Sequence, residues 1–177
     1  KTVYDARTGV IPSFRQKGIG KAIFDFMITD FEKNGFEQIL LEVISHNTNA
    51  IRLYEKLGFK TIRRLIYFEQ QKDFEFNPKL NFEIREIYEP DWQLFETFWV
   101  GKPSWQNSAT ALQQTPRKVV LGVFFDGKFI GYGIFFSRTG TIAQISIAED
   151  FRRTSAASIL LREMRKRLDT GRNLLAS

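Results

Sequence analysis

Seven consecutive residues near the start of the chain have types and spacing that could do chemistry: Arg15, Gln16, Lys17, Gly18, Ile19, Gly20 and Lys21. They lie where a strand-like stretch gives way to a helix-like one. A helix start leaves its first backbone N–H groups without intrahelical partners, and the macrodipole makes that end partly positive. Gly18 and Gly20 withhold side chains that would keep an anion from those groups, while Arg15 and Lys17 add charge. The spacing therefore suits a pyrophosphate cradle. It lacks the Gly-Lys-Ser/Thr ending of a nucleoside-triphosphate loop and the three glycines of a dinucleotide fingerprint. Other chemistries are excluded. With Cys 0 there is no thiolate zinc site, disulfide scaffold or cysteine nucleophile, and His46, the single histidine, cannot form a multi-histidine metal site.

The surrounding elements must position that turn. TVYDARTGVIP (2–12) reads as a strand with a bend or bulge at Gly9. Ile19, Ala22, Ile23, Phe26, Met27 and Phe31 recur in steps of three and four, predicting an amphipathic helix that Asn34-Gly35 ends. Residues 37–45 read as a buried strand. Asn47 or Asn49 caps a second helix carrying Ala50, Leu53, Tyr54 and Leu57, and residues 59–70 read as a long strand. Residues 71–80, polar and containing Asn-Pro, read as a linker. Beyond it come a strand at 82–87, helices at 90–99 and 104–114, and a hairpin over 118–136 turning at Asp126-Gly127. A strand (141–150) and a helix (153–169) follow.

Residues 10–27 and 147–164 are related at a constant offset of 137, with Phe14/Phe151, Arg15/Arg152, Ile23/Leu160 and Met27/Met164 in register. The same strand-to-helix junction thus occurs twice, once with its glycines and once without.

VIPSFRQKGIGKAIF and, further on, NTNAIRLYEKLGF together resemble the two coenzyme-A signatures of the GNAT N-acetyltransferase superfamily, across about residues 2–70. The resemblance implies an α+β fold of three layers, a mixed central sheet flanked by helices. It implies acetyl-CoA as cosubstrate, no metal, and direct transfer to a primary amine on a small molecule or peptide. Backbone amides of Gln16, Lys17, Gly18, Ile19, Gly20 and Lys21 would hold the pyrophosphate. Val10 and Ile11 would pair with the pantetheine arm, Pro12 and Arg15 would shape its approach, and Asn47 would reach the pantetheine or acyl end. Tyr54 would give its proton to the departing thiolate. Glu42 is the nearest match for a base, although a structural carboxylate is the simpler reading, and His46 reads as an exposed loop residue.

Residues 81–177 resemble the front half of a second such domain. There Ser155 and Ala157 replace the two glycines and Glu149 replaces the proline, so tight coenzyme binding is not expected at that junction. Two partial units, or one composite sheet, are the architectures the pattern allows, with residues 1–70 as the cofactor-binding back half of a domain. Both ends read as cut from a longer parent. Trp92, Trp99, Trp105 and Tyr132 could line an acceptor pocket, although aromatic core packing is the simpler reading. A non-catalytic interaction domain is the alternative function.

The net charge of +6 suits a phosphate-bearing partner. A basic helix (Arg162, Arg165, Lys166, Arg167, with Arg152 and Arg153) could meet nucleic acid. Without an RNP, zinc-finger or helix-turn-helix signature it reads as a solvated face. No apolar run reaches the roughly 18 residues of a membrane span, and a cytoplasmic location is expected. A homodimer is one arrangement the sequence leaves open.

Overall fold

The helical period after Gly18 becomes one helix, α1 (Ile19–Lys33), running from a strand β1 (Thr2–Asp5) to a second strand β2 (Gln38–Leu41). The computed structural model describes residues 1–71, 76–78 and 80–176, and their contacts define two units, Lys1–Arg64 and Leu65–Ser177. In the first unit β1 and β2 pair in parallel, from Thr2 with Gln38 to Asp5 with Leu41. β1 is shorter than expected, because the chain leaves the strand after Asp5 instead of continuing to Pro12. A second helix, α2 (Thr48–Lys56), follows, and Asn47 rather than Asn49 caps it by accepting the Ala50 N–H at 3.3 Å. The inward face of α1 carries Phe24, the one fully buried side chain of this unit among the described residues, whereas Phe26 points to solvent. The face runs Gly20, Ile23, Phe24, Met27 and Phe31, which is the 3.6-residue period phased one step from the sequence expectation.

In the second unit the strands are β3 (Phe68–Glu69), β4 (Glu83–Glu86), β5 (Val119–Phe125), β6 (Lys128–Phe136), β7 (Thr141–Ile147) and β8 (Leu175–Ala176). They form a six-stranded sheet in the order β3-β8-β7-β6-β5-β4, antiparallel except for the parallel β7–β8 pair. Two short helices, α3 (Trp92–Glu96) and α4 (Ala109–Gln114), begin at Asp91 and Ser108, whose side chains accept the Leu94 and Ala111 N–H groups. A longer helix, α5 (Ala156–Lys166), connects β7 to β8. Leu121, Val123, Phe135, Leu160 and Met164 fill one face of the sheet, and Phe95, Leu112, Val120, Tyr132 and Ile134 the other. Three layers result. Ile130 is the extra residue of a bulge, since Val123 pairs with Gly131 and Phe124 with Phe129, so it joins the first face although Tyr132 belongs to the second.

The strands make two sheets. Two expectations change. The long strand expected over 59–70 shrinks to β3, which pairs with β8. Part of the expected linker belongs to the second unit: Phe76 and Leu80 pack against its core, while residues 72–75 and 79 lie outside the described residues. β8 itself had no signal beyond two leucines.

The two junctions have the same conformation. Each begins with one turn of 3-10 helix, Pro12–Phe14 and Glu149–Phe151, and places its next residue but one in the left-handed region, with φ 61° at both Gln16 and Arg153. Each helix is preceded by a left-handed residue, Gly18 at φ 76° and Ser155 at φ 73°. In each an arginine Nε reaches back to a carbonyl five residues earlier, Arg15 to Val10 at 2.9 Å and Arg152 to Ile147 at 3.1 Å. Glycine adopts this backbone freely, whereas an L side chain costs about 1–2 kcal/mol there. Ser155→Gly is therefore expected to stabilise the second unit by about 0.5–1 kcal/mol after glycine's entropic cost. All three tryptophans lie in that unit, so urea unfolding followed by tryptophan fluorescence checks it.

Candidate functional site

The first junction is built from the loop upward. The Phe14 N–H donates to the Ile11 carbonyl at 3.0 Å and the Arg15 N–H to the Pro12 carbonyl at 3.2 Å, closing the 3-10 turn. The Arg15 guanidinium then ties the turn back to Val10, so this side chain serves as a clamp on the loop. The next amide with a partner in α1 is that of Ala22, which donates to the Gly18 carbonyl at 3.0 Å. Among the described residues, the backbone N–H groups of Gln16 through Lys21 have no hydrogen-bond partner. This is the run expected to hold a pyrophosphate.

The two glycines do different work. Nothing lies within 4 Å of a Cβ built on Gly18, so the space above the left-handed position is open. A Cβ on Gly20 would meet Leu53 Cδ2 at 3.1 Å, so Gly20 lets α1 and α2 approach closely. Only Gly18 fits the expectation that small residues clear an anion's path. Lys17 Nζ sits 5.1 Å from the centre of the Phe14 ring, and Lys21 pairs with Asp25 at 2.6 Å. Val10 and Ile11 do not extend β1, and their carbonyls already accept the Arg15 and Phe14 donors.

Tyr54 leaves α2 into an aromatic triangle. Its ring lies edge-on to Phe24 at 5.3 Å and to Phe59 at 5.8 Å. The phenol is half-buried, and burial raises its pKa above the ordinary value, with the negative charge of Asp5 raising it further. It is thus both a core side chain and a neutral proton donor. Asn47 spends its carbonyl oxygen on the α2 cap, leaving its amide nitrogen without a partner among the described residues. Glu42 and His46 are exposed, directly after β2 and in the turn before Asn47. The sequence reading missed Asp5 and Thr8, whose side chains bond at 2.9 Å where the chain leaves β1. The Asp-x-x-Thr spacing is the signal that marks such a bend.

In the second unit the aromatic candidates are tied together by hydrogen bonds. Trp99 Nε1 donates to the Tyr132 hydroxyl at 2.7 Å, which donates to Gln144 Oε1 at 2.6 Å, and Gln144 Nε2 donates to the Asn107 carbonyl at 2.5 Å. Tyr132 is fully buried and stacks on Phe95 with ring centres 3.8 Å apart. Trp99 and Tyr132 therefore satisfy each other. Trp92 lines a shallow cleft of about 290 Å³ with Ile87, Val120 and Arg117. The basic face of α5 is largely engaged: Arg162 covers the Phe76 ring, Arg165 reaches Gln70, and Lys166 and Arg167 pair with Glu163.

A strand, a glycine-capped helix start with open amides and a tyrosine-bearing helix are the parts of one superfamily. The chain belongs to the acetyltransferase (GNAT) family, whose model matches residues 1–59 and 81–173. Its relatives include the ribosomal protein bS18-alanine N-acetyltransferase of Escherichia coli strain K12, 43% identical over 60 residues. That match covers 33% of this chain and 40% of the relative. In fold the chain is similar to a GCN5-related N-acetyltransferase from Sphaerobacter thermophilus, with TM-score 0.65 and 16% identity, over 94% of this chain and 61% of that one. A tandem GNAT protein from the clavulanic acid biosynthesis pathway gives TM-score 0.63 and 13% identity, over 98% of this chain and 66% of its own. At such identities these two likenesses show the fold alone.

Burial holds the Tyr132 phenol neutral, pushing its pKa from 10.0 to about 12, an effect that the Trp99 hydrogen bond partly offsets. A folded-state pKa above the unfolded one contributes stability below pH 10 that is lost as pH rises towards about 12. Chemical unfolding across that window should show a smaller loss in Tyr132→Phe than in the native chain. At neutral pH the same substitution should cost about 1–3 kcal/mol, because it leaves Trp99 and Gln144 without their shared partner.

Proposed function

We propose that the first unit binds acetyl-CoA and transfers its acetyl group to a primary amine, acting in the cytoplasm. The observation that carries this reading is the run of six open amides, Gln16 to Lys21, leading into the first turn of a fifteen-residue helix. Unpartnered donors at the positive end of α1 match the charge and hydrogen-bonding needs of a pyrophosphate. Family membership supports the same donor. When bound, acetyl-CoA supplies an activated thioester.

The chain's own groups divide the remaining work. Lys17 and Lys21 add positive charge beside the amide run. Val10 and Ile11 would pair through their backbone with the pantetheine arm, and Asn47 offers its free amide nitrogen near the start of α2. Tyr54 holds a phenolic proton for the sulfur that departs as the new C–N bond forms. Most of the rate gain would come from holding the amine against the thioester carbonyl, and general-acid help typically adds about 10²–10⁴-fold.

The second unit is read as a non-catalytic partner domain. Its Ser155, its Glu149-Asp150 pair beside the junction and the closed Trp99–Tyr132–Gln144 chain favour that role. A tandem arrangement of two incomplete GNAT units accommodates both parts.

Calorimetric titration with acetyl-CoA tests the donor site. Saturable binding is expected, weakened at least about tenfold by the double change Lys17→Glu, Lys21→Glu, whose side chains point away from the Phe24 core. Tyr54→Phe should leave that affinity within about twofold and lower acetyl transfer by about 10²-fold or more. Unchanged turnover in Tyr54→Phe would remove the assigned acid.

A further inference from the structure

None of the residues lining the cleft beside Trp92 belongs to either junction or to the Trp99–Tyr132–Gln144 chain. The cleft forms where β4 gives way to α3 and where α4 gives way to β5. The Ile87 N–H ties these two stretches together by donating to the Val120 carbonyl at 2.9 Å. The apolar part of the lining is fixed. The half-buried Trp92 indole sits edge-on to the buried Phe95 ring, with centres 5.9 Å apart, and Ile87 and Val120 line the cleft with it.

Charges of both signs line the same space. Glu86 ends β4, and Arg117 stands in the turn before β5. Both are exposed, and among the described residues neither side chain has a hydrogen bond or an ion pair. Their neighbours are engaged: Arg85 pairs with Glu83, and Lys118 Nζ donates to the Thr115 carbonyl at 3.0 Å. Two opposite charges thus share one cleft without pairing with each other, a gap that a ligand bearing both charges would span. Arg117 also holds φ at 61°, left-handed backbone that glycine or asparagine adopts more readily than a long side chain. The turn bears this cost for a guanidinium that the fold itself leaves unused.

Sites for drug-sized ligands run from roughly 300 to 1,000 Å³. At about 290 Å³ this cleft suits a smaller ligand, of amino-acid size. We propose that it binds a free apolar amino acid, with the carboxylate on the Arg117 guanidinium, the ammonium on Glu86 and the side chain against the Trp92 ring. The planar guanidinium presents two parallel N–H donors to a carboxylate, and the indole offers apolar surface. The amino acid is held there as a ligand and is not acetylated, since its ammonium stays paired with Glu86. The proposal gives the second unit a ligand and does not depend on the transferase reading of the first.

Binding is read from the indole Nε1–H resonance of Trp92 in isotope-labelled protein, assigned by its loss in Trp92→Phe. Titration of the full chain with L-phenylalanine is expected to move that resonance saturably. N-acetylphenylalanine, which lacks the ammonium, and phenylalaninamide, which lacks the carboxylate, should each bind at least about tenfold more weakly. Glu86→Gln should weaken phenylalanine about tenfold and leave N-acetylphenylalanine unchanged, whereas Arg117→Gly should weaken phenylalanine about tenfold and leave phenylalaninamide unchanged. Arg117→Gly also relieves the left-handed strain, so its urea midpoint should be no lower than that of the native chain, and its lost binding is then not lost folding. The proposal is overturned if phenylalanine leaves the resonance unmoved or if either analogue binds as tightly. It is equally overturned if Glu86→Gln or Arg117→Gly binds phenylalanine as the native chain does. None of these readings uses acetyl-CoA, so a failure here and a failure of the donor site are told apart.

Discussion

A single side-chain-to-backbone hydrogen bond, from an arginine Nε to a carbonyl five residues earlier, holds each of the two junctions together. It forces the chain to double back after the strand, through a 3-10 turn and two left-handed residues, before the helix begins. That path leaves the first amides of the helix pointing into space instead of into a preceding turn. Without the clamp the strand could run on into the loop. The candidate site is therefore a consequence of backbone geometry, and its chemistry is main-chain chemistry.

The duplication shows what a junction tolerates. Ser155 keeps the left-handed conformation of Gly18 at φ 73° against 76°, so the fold of this turn outlasts the residue best suited to it. The arginine clamp and the 3-10 turn impose the conformation, and serine bears the strain. The surroundings differ more than the turns do. Thr154 and Ser155 are half-buried where Lys17 and Gly18 are exposed, and Ala156 is 1% exposed where Ile19 is half-buried, so the second copy is the more covered of the two. The sheet face that carries Tyr132 holds a chain of hydrogen bonds ending on the Asn107 carbonyl.

Tyr54 shows how packing and chemistry share one residue. Its ring completes the aromatic triangle with Phe24 and Phe59, while burial, and after it the Asp5 charge, keep its phenol neutral. Gly20 belongs to the same compromise. Its missing side chain lets α1 lie against Leu53 of α2, which brings the amide run and the tyrosine helix together.

Much of this was legible from residue order alone. Local rules depend on near neighbours, so the period of α1, an asparagine cap on α2, the Asp126-Gly127 turn and the repeat at offset 137 could be read directly. The two coenzyme-A signatures located the amide run for the same reason: both lie in short contiguous stretches. What residue order could not decide was anything set by distant partners. β1 stops at Asp5, and β3 and β8 exist only because they pair with each other and with β7. Phe24 rather than Phe26 turns inward because α2 and Phe59 lie on that side. Trp99 and Tyr132 close on each other across 33 positions of chain. Side-chain type and spacing determined the local turns and helices, whereas burial, strand limits and the partner of each polar atom were settled by which segments the chain brought together in space.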